Sequence, residues 1–126
     1  MNFKFDNNSP IYLQLVEDIK LQIISGNIKK GDKLLSVREL ALTKKVNPNT
    51  MQKALVELEN MKLIYTERTN GKYVTNDEKI INKIKKEFIN TKINTFINDM
   101  NSIGLDKNEI VKYLQELYKE EKWQSF

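Results

Sequence analysis

The sequence contains no cysteine and no histidine. Without cysteine, disulfides, thiolate metal ligands and thiol nucleophiles are all excluded. Without histidine, the chain lacks the commonest general base and the commonest metal ligand. The remaining residue types show no assembled nucleophile, base or metal site. We therefore expect a protein that is not an enzyme and that holds no metal and no cofactor.

Long apolar runs are also missing. No stretch approaches the roughly 18 to 20 apolar residues that a membrane-spanning helix requires. Residues 1–10 include an acidic residue and lack the apolar segment of a signal peptide. We therefore expect a cytoplasmic protein with no membrane partner. The length of 126 residues favours one small domain with an appendage.

What is present is an uneven distribution of charge. Residues 1–76 hold 12 Lys and Arg against 8 Asp and Glu, whereas residues 77–126 hold 9 of each, so the net charge of +4 lies entirely in the first part. Residues 29–53 alone hold seven basic and two acidic side chains. A locally basic segment fits a polyanionic partner such as nucleic acid, although many solvated faces are also rich in lysine.

The first predicted helix covers residues 10–25. Ser9 is the expected N-cap, and Pro10 suits the first helical position because its missing N–H has no helical partner there. Gly26 supplies the left-handed stop. The apolar stripe is formed at four-residue steps by Ile11, Leu15, Ile19 and Ile23.

Two shorter helices and a hairpin follow. Ser36 and Glu39 form a capping box that starts a helix ending near Lys44. Asn47 caps a third helix over residues 48–61, whose predicted buried residues are Met51, Ala54, Leu55 and Leu58. Alternating strands over residues 63–68 and 72–75 flank the turn sequence at 70–71, which indicates a hairpin.

The last part of the chain is predicted to be helical, over residues 77–102 and again after Asp106. The apolar pattern breaks near residues 88–89, where the long helix is expected to bend or to change its packing partner. The fold class is therefore mainly α with a small β-hairpin wing. We expect a winged helix-turn-helix over residues 1–76 and a two-helix dimerisation element over residues 77–126.

The third helix carries residue types suited to reading DNA. Asn49 can make paired hydrogen bonds to adenine, and Thr50 offers a hydroxyl and a methyl. Lys53 can reach a guanine edge or a phosphate, and Arg38 in the preceding helix can hold a phosphate or approach a base. The alternative is that Asn49, Thr50 and Lys53 are ordinary solvent-facing residues. For Arg38, the alternative is a surface ion pair with Glu39 or a neighbouring acidic residue.

Further DNA contacts are expected around these four. The helix N-termini at Ser36 and Asn47 present free N–H groups to phosphate oxygens. Lys44, Lys45 and Lys72 are expected to be sequence-blind phosphate contacts, although the first two could serve only solubility. The polar tip of the wing adds Arg68, Asn70 and Gly71.

The apolar residues of the two tail helices are numerous for two isolated helices. The expected dimerisation residues are Ile89, Ile93, Phe96, Met100, Leu114, Leu117 and Tyr118. They could instead form only a core within the chain. We prefer a partner surface, because exposed they would make an apolar patch larger than monomers usually carry.

Residues 10–74 resemble the DNA-binding domain of GntR-type bacterial regulators. The resemblance rests on four segments together, at residues 31–34 (GDKL), 36–41 (SVRELA), 46–50 (VNPNT) and 71–74 (GKYV). The form NPNT with a short tail is similar to the YtrA-type subfamily. Two positions depart from the family: Leu35 stands where it usually has proline, and Thr69 where the wing usually has glycine.

The resemblance implies a dimeric repressor with a two-helix dimerisation tail. It also implies that Arg38, Asn49, Thr50, Lys53 and Gly71 occupy positions that meet DNA. YtrA-type regulators often control transporter operons, which is a further expectation. Many relatives carry a large effector-binding domain for which this chain has no room, so we expect no small-molecule effector, or one bound between subunits.

The sequence therefore predicts a sequence-specific transcriptional regulator that binds double-stranded DNA as a homodimer. Two recognition helices related by a twofold axis should address a pseudo-palindromic operator. The alternative from another class is a winged-helix adaptor that binds a protein and not DNA. The basic bias around the third helix and the wing favours DNA.

Overall fold

A computed structural model describes Phe5 and residues 9–119. The helices are α1 (Ile11–Ile24), α2 (Val37–Lys44), α3 (Pro48–Asn60), α4 (Glu78–Ser102) and α5 (Lys107–Tyr118); the strands are β1 (Ile64–Glu67) and β2 (Gly71–Val74). The predicted fold class, mainly helical with a two-stranded antiparallel hairpin, is confirmed. Among the described helices, none combines the length and apolar character needed to cross a membrane.

The chain divides into two compact units. The N-terminal unit ends at Lys85 and the C-terminal unit begins at Lys86. This division lies nine residues after the predicted boundary at 76/77, because the first turns of α4 belong to the core of the N-terminal unit. Those turns contribute Ile80, Ile81 and Ile84, which pack against that core.

The core of the N-terminal unit is built around α3. Four of its residues, spaced as one helical face requires, are almost completely inaccessible to solvent: Met51, Ala54, Leu55 and Leu58. They are the four that the sequence pattern predicted. Helices α1 and α2, the turn before α2, Leu63 and the hairpin close around them with Leu15, Val16, Ile19, Ile23, Leu34, Ala41, Leu63, Ile64 and Val74.

The start of α1 differs from the prediction. Pro10 itself is the N-cap, with φ −56° and ψ 143°, and no side chain caps the helix. Ser9 therefore lies outside the helix, and its role as N-cap was predicted wrongly. Its carbonyl oxygen instead accepts a hydrogen bond from Gln14 Nε2 at 2.8 Å. The apolar stripe also starts one turn late, since Ile11 is 46% exposed.

The hairpin is confirmed, with a longer connection than the turn sequence suggested. Glu67 pairs with Gly71 and Ile64 with Val74, so residues 68–70 form a three-residue loop and Gly71 is the first residue of β2. The segment before α2 adds a bridge between Lys33 and Tyr73. The backbone N–H of Leu34 donates to the carbonyl oxygen of Lys72 at 2.8 Å. The wing is thereby attached along β2 to the start of α2.

Helix α4 is continuous through the position where the sequence pattern breaks. What changes is the surroundings of its apolar residues. Those before Lys85 pack into the N-terminal core, whereas most of those after it are exposed. Helix α5 begins with a second capping box, in which Asp106 and Glu109 each accept a hydrogen bond from the other's backbone N–H.

Candidate nucleic-acid interface

A reciprocal cap holds the N-terminus of α2. Ser36 Oγ accepts a hydrogen bond from the backbone N–H of Glu39 at 3.1 Å, and Glu39 Oε1 accepts one from the N–H of Ser36 at 3.1 Å. The hydrogen bond from the Ser36 N–H is the main reason that the pKa of Glu39 lies below its ordinary value; the Ser36 hydroxyl and the nearby charge of Lys33 add to it. The cap fixes the first turn of α2, which carries the exposed Arg38.

The turn between α2 and α3 occupies only residues 45–47. Lys45 adopts the left-handed conformation with φ 58° and ψ 47°, and the N–H of Val46 donates to the carbonyl oxygen of Ala41 at 2.9 Å. Asn47 Oδ1 then caps α3 by accepting a hydrogen bond from the N–H of Asn49 at 2.7 Å. Ending one helix and starting the next within three residues gives a tight helix-turn-helix.

The face of α3 opposite the core is exposed and, apart from Val56, polar. At 100° per residue, Asn49, Lys53 and Val56 lie opposite the buried side chains, and all three are exposed. Thr50, at the edge of this face, is half-buried. The amide of Asn49 and the ammonium of Lys53 are groups that can hydrogen-bond to base edges in a major groove.

Lys53 is held in a particular position by α1. Its Nζ lies 3.9 Å from the centroid of the Tyr12 ring. A cation over an aromatic face is attracted by the negative charge of the ring face. The Lys53 ammonium is thus located beside α1 and not extended freely into solvent.

The tip of the wing exposes Arg68, Asn70 and Gly71, as predicted from its polar sequence. Gly71 has φ 108°, a conformation that L side chains rarely adopt, and a Cβ added there would meet Lys33 Cε at 3.4 Å. Glycine is therefore required by the local backbone. Tyr65 and Tyr73 stack on each other across the strands with ring centroids 5.8 Å apart, so they serve packing of the hairpin.

Two lysines predicted to contact phosphates form ion pairs within the chain. Lys44 Nζ lies 2.8 Å from Asp18 Oδ2 on α1, and the Lys44 side chain is only 22% exposed. Lys72 Nζ donates to Glu59 Oε1 at 2.5 Å and to Thr66 Oγ1 at 2.9 Å. With Thr50, these are the half-buried members of the predicted DNA-contact set, whose other nine members are exposed.

Two further exposed polar residues lie beside the predicted DNA-contact residues and were not singled out from the sequence. Gln52 is exposed on α3, next to Lys53 and on the side of the helix that carries Glu59. Its position on the helical wheel could have indicated it. Lys33 is exposed, lies against Gly71 of the wing, and acts on the Glu39 carboxylate at the start of α2. The bridge between Lys33 and Tyr73 reveals that placement, and it joins residues 40 positions apart.

The C-terminal unit exposes an apolar surface. Of the predicted dimerisation residues, all except the half-buried Met100 are exposed. Helices α4 and α5 of this unit enclose a groove of about 740 Å³ whose apolar lining comprises Ile93, Phe96, Ile97, Ile110, Val111 and Leu114. Among the described residues of this unit, only Ile110 is buried.

Comparison with known proteins gives consistent results. Residues 11–74 match the family described as bacterial regulatory proteins, gntR family. The chain is 34% identical over 112 residues to the HTH-type transcriptional repressor YtrA of Bacillus subtilis (strain 168), covering 88% of this chain and 86% of that protein.

Solved structures agree with these matches. A GntR family transcriptional regulator from Listeria monocytogenes superposes with a TM-score of 0.84 at 41% identity, covering 89% of this chain and 98% of that chain. The DNA-binding domain of AraR in complex with operator ORX1 gives a TM-score of 0.52 at 26% identity, covering 60% of this chain and 92% of that chain. The helix-turn-helix, the wing and these matches together show that the chain belongs to the GntR family of bacterial transcriptional regulators, which are not enzymes in general.

Proposed function

We propose that this protein is a repressor that binds a specific operator in double-stranded DNA as a homodimer. The observation that carries the proposal is the exposed polar face of α3, which follows a capped helix through a three-residue turn. An α-helix held out in this way fits the major groove, which is about 12 Å wide. The AraR domain, which is similar in structure, is found on its operator, and the relative YtrA is named a repressor.

The roles follow from the chemistry of the side chains. Asn49 reads adenine and Lys53 a guanine edge or a phosphate, while Arg38 holds a phosphate or approaches a base. Thr50 and Gln52 add polar groups at the edges of the same helix. The N–H groups in the first turns of α2 and α3 that do not donate to the caps meet phosphate oxygens, as does Lys45. Arg68, Asn70 and Gly71 bring the wing tip to a neighbouring groove or phosphate run.

The dimer part of the proposal rests on the C-terminal unit. Its two helices leave an apolar groove exposed, and a monomer would have to keep that surface in contact with water. A second copy of the chain, presenting the same surface, covers it in an isologous interface. The operator is then a pseudo-palindrome. We expect no small-molecule effector, or one that binds between the subunits. A transporter operon is the expected target.

A winged-helix adaptor that binds a protein remains the second candidate function. The exposed Val56 on the outer face of α3 is the observation in its favour, because an apolar side chain there suits a protein surface. The lysines and arginines around α3 and the wing favour DNA, a polyanion, over a protein partner.

The test is a gel-shift titration on the protein's own upstream region over a series of salt concentrations. Binding should weaken steeply as salt rises, because neutralised phosphates release counterions. Lys53→Ala should weaken binding by about 1–3 kcal/mol, mainly through one operator position, if Lys53 reads a base. Lys79→Ala removes the same charge from α4 and should bind like the wild type.

Two outcomes would change the proposal. An equal loss for Lys53→Ala on operator and random DNA would make Lys53 a phosphate contact. Absence of any shift at low salt would remove the DNA-binding function and favour the adaptor.

A further inference from the structure

The wing cannot fix its own orientation. A two-stranded hairpin is at best marginally stable alone, so its position depends on contacts with the rest of the unit. At its base, Ile64 and Val74 are buried in the core. Strand alternation places Thr66 and Lys72 on that same face, and the two residues are direct cross-strand partners. Lys72 therefore points from the wing toward the protein body.

There Lys72 meets the end of the recognition helix. Glu59, in the last turn of α3, accepts hydrogen bonds from Lys72 Nζ and from Thr66 Oγ1, both at 2.5 Å, and Lys72 Nζ also donates to Thr66 Oγ1 at 2.9 Å. Each of the three groups is thus bonded to the other two. The side chain of Lys72 is only 15% exposed and that of Glu59 31%. We call these three residues the wing triad.

Binding of Lys72 to a phosphate would be unfavourable for two reasons. Its ammonium would leave two hydrogen bonds, one of them to a carboxylate, where charge makes the bond strong. The Glu59 carboxylate would then stand unpaired in a protein surface that faces a polyanion, where like charges repel. In place, Lys72 neutralises Glu59 instead.

We propose that the wing triad is a brace that sets the orientation of the wing relative to α3, and that Lys72 is a positioning residue and not a phosphate contact. The inference rests on the proposed DNA-binding function. It assigns to Glu59 and Thr66 a role in operator binding although neither touches DNA.

The direction in which Glu59→Gln changes operator affinity distinguishes the two possible roles of Lys72. If Lys72 contacts a phosphate, Glu59→Gln removes its competitor and strengthens operator binding. If the triad is a brace, Glu59→Gln weakens operator binding about fivefold to tenfold. Lys72→Met should weaken it by a similar factor, and the double variant should be no weaker than either single variant, because both remove the same interaction.

The dependence of affinity on salt gives an independent readout. Loss of one phosphate contact lowers the slope of log K against log salt by about 0.9. The brace predicts that Lys72→Met keeps the wild-type slope. A slope lowered by this amount, or tighter binding by Glu59→Gln, would overturn the proposal.

Exchanging the charges of Glu59 and Lys72 tests whether the single variants lose affinity merely because they misfold. The double variant Glu59→Lys with Lys72→Glu retains the opposite charges at the same two positions and should restore most of the affinity lost in either single exchange. Hydrogen exchange of the β1 and β2 amides in the free protein should be several-fold faster in Glu59→Gln and close to wild type in the double exchange.

The DNA-binding and hydrogen-exchange measurements distinguish a failure of the proposed function from a failure of the brace. If the wild type binds no operator, the proposed function falls, and hydrogen exchange alone then judges the brace. If the wild type binds but all variants retain its affinity, slope and exchange rates, the brace falls and the DNA-binding function stands.

Discussion

The two compact units of this chain differ in how far they bury their apolar side chains. In the N-terminal unit, α3 is surrounded on its core side and contributes four buried residues from a 13-residue helix. In the C-terminal unit, the described part of α5 contributes one buried residue, Ile110, and the apolar residues of α4 remain accessible. The first unit has a core of its own, whereas the described residues of the second, up to Lys119, leave most of their apolar side chains exposed.

This difference supports the proposal that the homodimer forms through the C-terminal unit. Small domains bury a limited fraction of their surface, and two helices alone bury less still. In the proposed homodimer, a second copy would bury the apolar side chains that the described residues of the C-terminal unit leave exposed. In that proposal the N-terminal unit takes no part in the interface, and the outer face of α3 stays available for DNA.

The largest expected effect comes from placing a charge in the apolar groove. Phe96→Glu would bury a carboxylate twice in a twofold interface, at a cost of at least about 3 kcal/mol, and should convert the dimer to monomer. Light scattering coupled to size-exclusion chromatography measures the mass. Asn98→Glu adds the same charge on the opposite side of α4 and should leave the dimer intact. A dimeric Phe96→Glu protein would refute the interface.

A pair of leucine truncations compares the units directly. Leu55→Ala removes a fully buried side chain and should destabilise folding by about 2–5 kcal/mol at any protein concentration. Leu114→Ala truncates a side chain that is 38% exposed in the single chain. Its destabilisation should be largest at concentrations that favour the dimer and should shrink on dilution.

Urea unfolding at several protein concentrations makes the measurement. A concentration-independent effect of Leu114→Ala would mean that the groove is filled within the chain, and the contrast between the units would disappear.

The smallest expected effect is on the acid side of the pH profile. Hydrogen bonds from Lys72 and then Thr66 hold the pKa of Glu59 below its ordinary value of 4.5. The folded protein therefore binds fewer protons here than the unfolded chain, so this contribution to stability is complete above about pH 4.5 and is lost as the pH falls through the lowered pKa. Glu39 and Glu78, whose pKa values are also lowered, act in the same direction within the N-terminal unit.

Melting temperatures between about pH 3 and pH 7 provide the measurement. Glu59→Gln should lose stability near neutral pH and show a shallower decline in acid. Lys72→Met should flatten the same decline, because it removes the main cause of the lowered pKa. An unchanged acid slope in both variants would show that this ion pair contributes nothing to stability.

Local sequence signals predicted most of the fold. The capping box at Ser36 and the cap at Asn47 depend on residues two or three positions apart, and both were predicted correctly. The buried face of α3 was likewise readable from its spacing. The prediction of Ser9 as the N-cap of α1 was wrong because proline can occupy the N-cap as well as the first helical position. The sequence does not distinguish the two.

The candidate site was less predictable because its contacts join distant parts of the chain. Lys44 pairs with Asp18, and Lys72 with Glu59, across separations of 26 and 13 residues. The sequence predicted phosphate contacts for both lysines, but it could not reveal the ion pairs that they make within the chain. The position of Lys53 over Tyr12 has the same origin, since it brings α1 against α3.

The left-handed lysine in the turn before α3 has an evolutionary consequence. Glycine would fit φ 58° at Lys45 with less steric strain, whereas lysine supplies a positive charge that glycine lacks. If Lys45 binds a phosphate as proposed, selection for a relaxed backbone and selection for affinity oppose each other at this residue. Replacing Lys45 by glycine would then raise the stability of the fold and lower the affinity for the operator, without altering any residue proposed to read a base.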